Sequence, residues 1–230
     1  MDNIKHYMDN IKKYISYIPL NIREHYILSF MYGSYVYGTN NEKSDKDIIV
    51  IVDDDLKLKT YEGIEEIHVF PDDEEKSIDF QIINNNTFKK MLYNHHIIAL
   101  ESLFMKSSMY DSFENFNSLY ANYFILDKWK LRKVVSSIVN NSYAKCHKKL
   151  IIEKDYDLYR AQKSIFHCIR LYMFAIQIAE TGKIYDYAEA NPYWVKIQMM
   201  GNNWDEYKSK FKPILNSLRS KLVKLCPKPI

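Results

Sequence analysis

An α/β first half followed by a helical second half is the fold class this sequence predicts, and three observations predict it. Between residues 26 and 83, short β-branched and aromatic runs alternate with polar turns. Beyond about Asp127 the apolar spacing becomes helical. The charge changes sign at the same place: residues 1–125 hold 12 Lys and Arg against 20 Asp and Glu, a net of −8, and residues 126–230 hold 20 against 9, a net of +11. The expected domains are therefore 1–125 and 126–230, with the composition shifting between residues 110 and 128.

Taken in order, Ile4, Met8, Ile11 and Ile15 are spaced for a helix from Met1 to about Tyr17, and Pro19 separates it from another short helix. YILSFMYG, residues 26–33, reads as a strand ending at Gly33. DIIVIV, Asp47 to Val52, is continuously apolar, as a strand covered on both faces should be. EEIHVF, to Phe70, and KSIDFQII, Lys76 to Ile83, are two further strands. Thr87 is placed to cap a helix beginning FKKML. In the second half, Leu131 to about Ile152, Tyr156 to Thr181 and Ser209 to Leu225 read as helices, the middle one closed by Gly182.

At 230 residues with 47% hydrophobic content, the chain can bury a good core. It has no apolar run near 18 residues and no signal-like amino terminus, so neither a membrane span nor secretion is expected. Cys146, Cys168 and Cys226 are odd in number and lack CxxC spacing, which fits reduced thiols and a cytoplasmic location. An acidic half suits cations, and a basic half attracts a polyanion such as nucleic acid. Mutual attraction of the two halves is the competing explanation.

The chemistry concentrates in GSYVYGTNNEKSDKD, residues 33–47. A glycine where a strand turns into a helix lets backbone approach a bound group, and the Ser34 hydroxyl adds a donor for phosphate. Asp45 and Asp47, two apart in an extended segment, share a face. Two carboxylates that close repel unless a cation lies between them, and magnesium prefers oxygen ligands. Asp79 is a third carboxylate inside an otherwise apolar strand, a placement that costs several kcal/mol unless the charge is paired or metal-bound. Three carboxylates around two ions roughly 4 Å apart is the arrangement for in-line displacement at phosphorus. A polar turn with three solvated aspartates is the competing reading.

Gly33-Ser34, then Gly38-Thr39, then Ser44-Asp45-Lys46-Asp47, an apolar strand and the later Asp79 resemble the signature of the DNA polymerase beta superfamily of nucleotidyltransferases. Within it, the sequence is most similar to the predicted nucleotidyltransferases associated with RNA repair in bacteria, phages and large viruses. FKKML with ALESLF, and KSIFHCIRLYMFAIQIAETGKI, extend the likeness from residue 28 to about 215. Val36 stands where that family has a small residue.

The resemblance implies a mixed-sheet nucleotidyltransferase core with a helical carboxy-terminal domain. It implies that Gly33 and Ser34 hold the triphosphate of an NTP, ATP or CTP, and that Asp45 and Asp47 bind two magnesium ions, with manganese an alternative. Asp79 would complete the site for the ion that activates an acceptor hydroxyl. The implied activity transfers a nucleoside monophosphate to that hydroxyl, preferably at an RNA end, and releases pyrophosphate. Competing possibilities are AMPylation of a partner protein, as in antitoxin-like relatives, a small-molecule acceptor, as in antibiotic-modifying relatives, which would favour an acidic acceptor pocket over a basic one, a catalytically dead copy, and a non-catalytic nucleotide or RNA-binding module. For a phage or viral protein the location would be the host cytoplasm.

On the 156–181 helix, Arg160, Lys163, His167 and Arg170 form a narrow strip opposite an apolar face. Lys163, His167 and Arg170 match the family pattern and become candidate nucleotide- or RNA-phosphate-binding residues. An ordinary solvated face, with His167 in the core, is the other reading. Glu101 resembles a family-pattern residue too, but an amphipathic helix explains it equally well. His95 and His96, adjacent on the chain, are expected in a loop or at the surface.

Overall fold

Four strands form one mixed sheet: β1 (Tyr26–Tyr32), β2 (Lys46–Val52), β3 (Ile64–Val69) and β4 (Ile78–Asn84), in the order β1-β2-β4-β3. β2 runs parallel to β4, while β1 and β3 are antiparallel to their neighbours. This is the computed structural model of the chain, and it describes residues 11–42, 44–60, 63–72, 74 and 76–229. The chain divides into two units, Met1–Ile125 and Leu126–Ile230.

The apolar run in β2 folds as its composition requires. Ile48 to Val52 are each 0% exposed, so every one of them contributes about 1.5–3 kcal/mol of burial. Ile48, Val50 and Val52 face one side together with Ile78, Phe80 and Ile82 of β4, against Tyr14, Ile18 and Ile22. The other side holds Ile49, and beside it Phe30 of β1 packs among Phe88, Tyr110 and Phe116. Both faces are thus covered at the middle of the sheet.

The remaining elements of this unit are short helices: α1 (Leu20–Arg23), α2 (Ser34–Tyr37), α3 (Asn85–Tyr93), α4 (Ile97–Leu103) and α5 (Phe113–Tyr120). The helix expected from Met1 lies outside the described residues up to Asn10; residues 11–15 are helical. Thr87 is not the cap of α3. The helix begins at Asn85, with Asn84 at its N-cap position in extended backbone. Thr87 instead stands beside Gly63, where its hydroxyl would lie 2.4 Å from any added Cβ. His95 is buried rather than superficial, in a left-handed turn between α3 and α4 at φ 58°.

The second unit is helical throughout: α6 (Lys128–Ile151), α7 (Leu158–Thr181), α8 (Asn191–Gln198) and α9 (Trp204–Leu225). Aspartate side chains cap the first two, Asp127 accepting from Lys130 N and Asp157 from Arg160 N, both at 2.9 Å. Gly182, at φ 82°, closes α7. α9 starts at Trp204, five residues before the expected Ser209, because Asn203 accepts from Asp205 N and Glu206 N and so supplies the cap. Cys146, Cys168 and Cys226 are free and buried, and burial pushes the Cys146 thiol up to about 12. No helix among the described residues is long and apolar enough to cross a membrane.

Candidate active site

The strand registers place four polar side chains in one row across the sheet. Tyr32 of β1 lies opposite Asp47 of β2, Asp47 opposite Asp79 of β4, and Asp79 opposite His68 of β3. Directly paired residues project to the same face, which here is the face opposite Ile48, Val50 and Phe80. Asp45, two residues before Asp47, precedes the strand at the same end. Asp47 and Asp79 are therefore brought together by backbone pairing alone.

Gly33 sits against this row. Its φ of 76° is one that side-chain-bearing residues rarely adopt, and a Cβ there would fall 2.2 Å from Asp47 Oδ2. The chain turns at once into α2, where Val36 N and Tyr37 N donate to Gly33 O at 3.0 and 3.3 Å. Gly38, at φ 71°, ends the turn in the left-handed region. Both glycines of the motif are thus accounted for, one by close approach to a carboxylate and one by backbone conformation.

Each carboxylate has a neighbour. The Ser77 hydroxyl donates to Asp45 Oδ1, and His68 Nδ1 is bonded to Asp79 Oδ1. Tyr32 is held above the usual phenol range, first by burial and then by the fields of Asp47, Glu66, Asp79 and Glu101. Four acids therefore surround one ring. The nearby cation Lys46 projects from the other face of β2; it pairs with Glu74 at 2.5 Å and lies 4.4 Å over the Tyr14 ring. Lys13 also reaches Glu74, at 2.8 Å, and the two lysines hold that carboxyl below its usual range.

The donor set fits a hard divalent cation in chemistry and register: carboxylate oxygens, side by side, in an acidic surround. Among the described residues, no three His, Cys, Asp or Glu side chains are gathered as they stand to hold one ion. The oxygens of Asp45 and Asp79 are turned to Ser77 and His68 instead.

Residues 12–108 match the family model of polymerase beta nucleotidyltransferases. The match falls within the amino-terminal unit and includes Gly33, Ser34, Asp45, Asp47 and Asp79. Among solved structures, the spectinomycin adenyltransferase AAD(9) from Enterococcus faecialis, crystallised with ATP and spectinomycin, is similar over 93% of this chain and 98% of its own, at 14% identity and a TM-score of 0.44. A nucleotidyltransferase-like protein from Exiguobacterium sibiricum 255-15 aligns over 94% of this chain and 71% of its own, at 10% identity and a TM-score of 0.34. No curated protein sequence matches this chain.

Two residues of this unit take partners that only the fold reveals. Glu101, in α4, is 5% exposed and accepts the Tyr37 hydroxyl at 2.5 Å, tying α4 to the last residue of α2. Its neighbours in sequence gave it an ordinary amphipathic setting. His68 is half of an alternating strand pattern, and only the register with Asp79 distinguishes it.

In the helical unit, Lys163, His167 and Arg170 do share one side of α7, but not as a solvated strip. Lys163 is exposed, 4.7 Å over the Tyr159 ring. Arg170 is buried among Phe166 and Phe174 and donates through Nη2 to His167 Nδ1 at 3.0 Å. Burial, Arg170 and Lys145 together hold His167 down to about 3, so its ring is neutral at ordinary pH.

Proposed function

We propose that this nucleotidyltransferase is metal-dependent and transfers a nucleoside monophosphate from an NTP, ATP or CTP, to a hydroxyl at an RNA end. The observation that carries the reading is the side-by-side placement of Asp47 and Asp79 on one sheet face, with Gly33 closed against Asp47. Asp45, Asp47 and Asp79 are the groups that would hold magnesium, which would neutralise phosphate charge and lower the proton affinity of the acceptor hydroxyl. Gly33 lets the Asp47 carboxylate close against the turn, and the triphosphate would lie at that turn, where Ser34 supplies a hydroxyl donor. The acceptor oxygen bonds to the α-phosphorus as the bond to pyrophosphate breaks, the hydroxyl proton leaving to solvent or to a carboxylate of the row. Positioning and charge neutralisation supply most of the rate.

The unit 126–230 serves in this reading as the RNA-binding domain, for which its net charge of +11 is suited. Lys163, His167 and Arg170 are its proposed phosphate donors, Lys163 by direct contact and Arg170 by holding the neutral His167 with a proton on the outer nitrogen. A soluble, cytoplasmic enzyme of RNA-end repair is the resulting picture.

Incubation with each labelled NTP, magnesium or manganese, and either total RNA or lysate protein tests this directly. Label is expected in RNA, and Asp47→Asn and Asp79→Asn are expected to abolish it while retaining the far-UV circular dichroism of the parent. Label in protein alone would replace the RNA acceptor by a polypeptide. Normal incorporation by Asp47→Asn would remove the assigned roles altogether.

A further inference from the structure

Phe70 is 74% exposed, immediately beyond the end of β3. A single exposed aromatic needs no explanation; its position does. It follows His68 by two residues and so shares the face of the Tyr32–Asp47–Asp79–His68 row. The two rings confirm this, meeting edge to face at 4.6 Å, 82° between planes. His68 is itself bonded to Asp79. The exposed ring is therefore tethered, through one histidine, to the carboxylate assigned to the acceptor hydroxyl.

The strand order gives the two flanks of the row different uses. Gly33 and Ser34 extend β1 at one edge of the sheet, and Phe70 extends β3 at the other, at the same end of the strands. With triphosphate on the Gly33 side, the Phe70 side is where an acceptor approaches. Strand spacing and rise put Phe70 roughly 8 Å from Asp79, comparable with the reach from a ribose hydroxyl to its own base.

We propose that Phe70 is the platform on which the terminal base of a single-stranded RNA acceptor stacks, with His68 fixing the ring beside Asp79. The inference rests on the reading that Asp79 serves the acceptor hydroxyl, and it adds that the acceptor is recognised by a planar base. Base–aromatic stacking is tolerant of sequence, so this acceptor site accepts any of the four bases.

The test compares two synthetic RNAs of equal phosphate count, one ending in an ordinary nucleotide and one in an abasic ribose, as acceptors for the wild type, Phe70→Ala and Phe70→Trp. Removing the terminal base should raise the wild-type acceptor KM by about 5- to 100-fold. Phe70→Ala should raise it by a similar factor on the ordinary RNA and add nothing on the abasic one, and Phe70→Trp should restore it. The KM for NTP should stay within about twofold throughout. Equal losses on both RNAs, or an unchanged acceptor KM in Phe70→Ala, would overturn the platform while leaving the transferase reading intact. A wild type that labels only protein, or nothing, would overturn both. Because Phe70 is largely solvent-exposed, its substitutions should melt with the parent, and a lowered Tm would mark a structural role instead.

Discussion

Asp47 Oδ2 occupies the space that a Cβ at Gly33 would need, 2.2 Å away. A clash with a carboxylate that is itself in the row moves that carboxylate, and a φ of 76° adds backbone strain of about 1–3 kcal/mol for any non-glycine residue. Gly33→Ala should lower Tm by several degrees and cut transfer far more than the stability loss accounts for, measured at a temperature where the variant is fully folded. A variant with parental kcat would show that Asp47 has freedom the structure does not give it.

Divalent ions should stabilise the folded protein in proportion to their occupancy, since the unfolded chain does not bring Asp47 and Asp79 together. At a magnesium concentration near 100 times Kd the gain is about 2.7 kcal/mol. The wild-type Tm should therefore climb with magnesium and fall back with chelator, without unfolding. In Asp47→Asn the climb should be lost. An equal climb in both proteins would assign the ion to some other place.

Glu101 and Tyr37 form a buried pair joining α4 to α2. Glu101→Gln keeps an acceptor for the Tyr37 hydroxyl and should cost little. Glu101→Leu leaves that hydroxyl buried with its acceptor removed and should cost about 1–3 kcal/mol. Adding Tyr37→Phe to Glu101→Leu should recover part of the loss in chemical denaturation. Simple additivity of the two changes would mean the pair is not coupled.

His167 supplies a pH dependence whose sign is fixed. Its folded value, about 3, lies below the ordinary value of 6.5, so the unfolded chain takes up a proton that the folded one refuses. The stability contributed by the neutral ring is complete above about pH 6.5 and is lost progressively as pH falls toward 3, by at most about 1.4 kcal/mol per unit. Denaturant midpoints between pH 7 and 4 should fall less steeply in His167→Gln than in the wild type. Parallel slopes would mean that His167 charges freely in the fold.

Much of this was legible in the residues themselves. DIIVIV is continuously apolar, as a strand covered on both sides should be, and Gly182 stands where a helix closes, because composition and φ preference act locally. Legible too was the polymerase beta signature, since glycine, serine and aspartate lie within 15 residues of each other. What stayed hidden depends on register. Nothing near His68 shows that it will stand opposite Asp79, and nothing near Glu101 shows that it will meet Tyr37, 64 residues earlier. Thr87 misled for a related reason: a good capping residue is overridden when Asn84 already holds the N-cap position and Gly63 occupies the threonine's side. The long apolar face of α7 was plain, but the inward turn of Arg170 was not, because an arginine's reach exceeds what helical spacing can specify.

The order β1-β2-β4-β3 has a consequence for assembly. β1 with β2, and β3 with β4, are each a pair of consecutive antiparallel strands, and only the parallel contact of β2 with β4 joins them. Asp47 belongs to the first hairpin, Asp79 and His68 to the second. The carboxylates thus meet on a seam, and a fluctuation that opens the seam separates them while each hairpin remains whole. Reactivity in this molecule is a property of the completed sheet, absent from either of its halves.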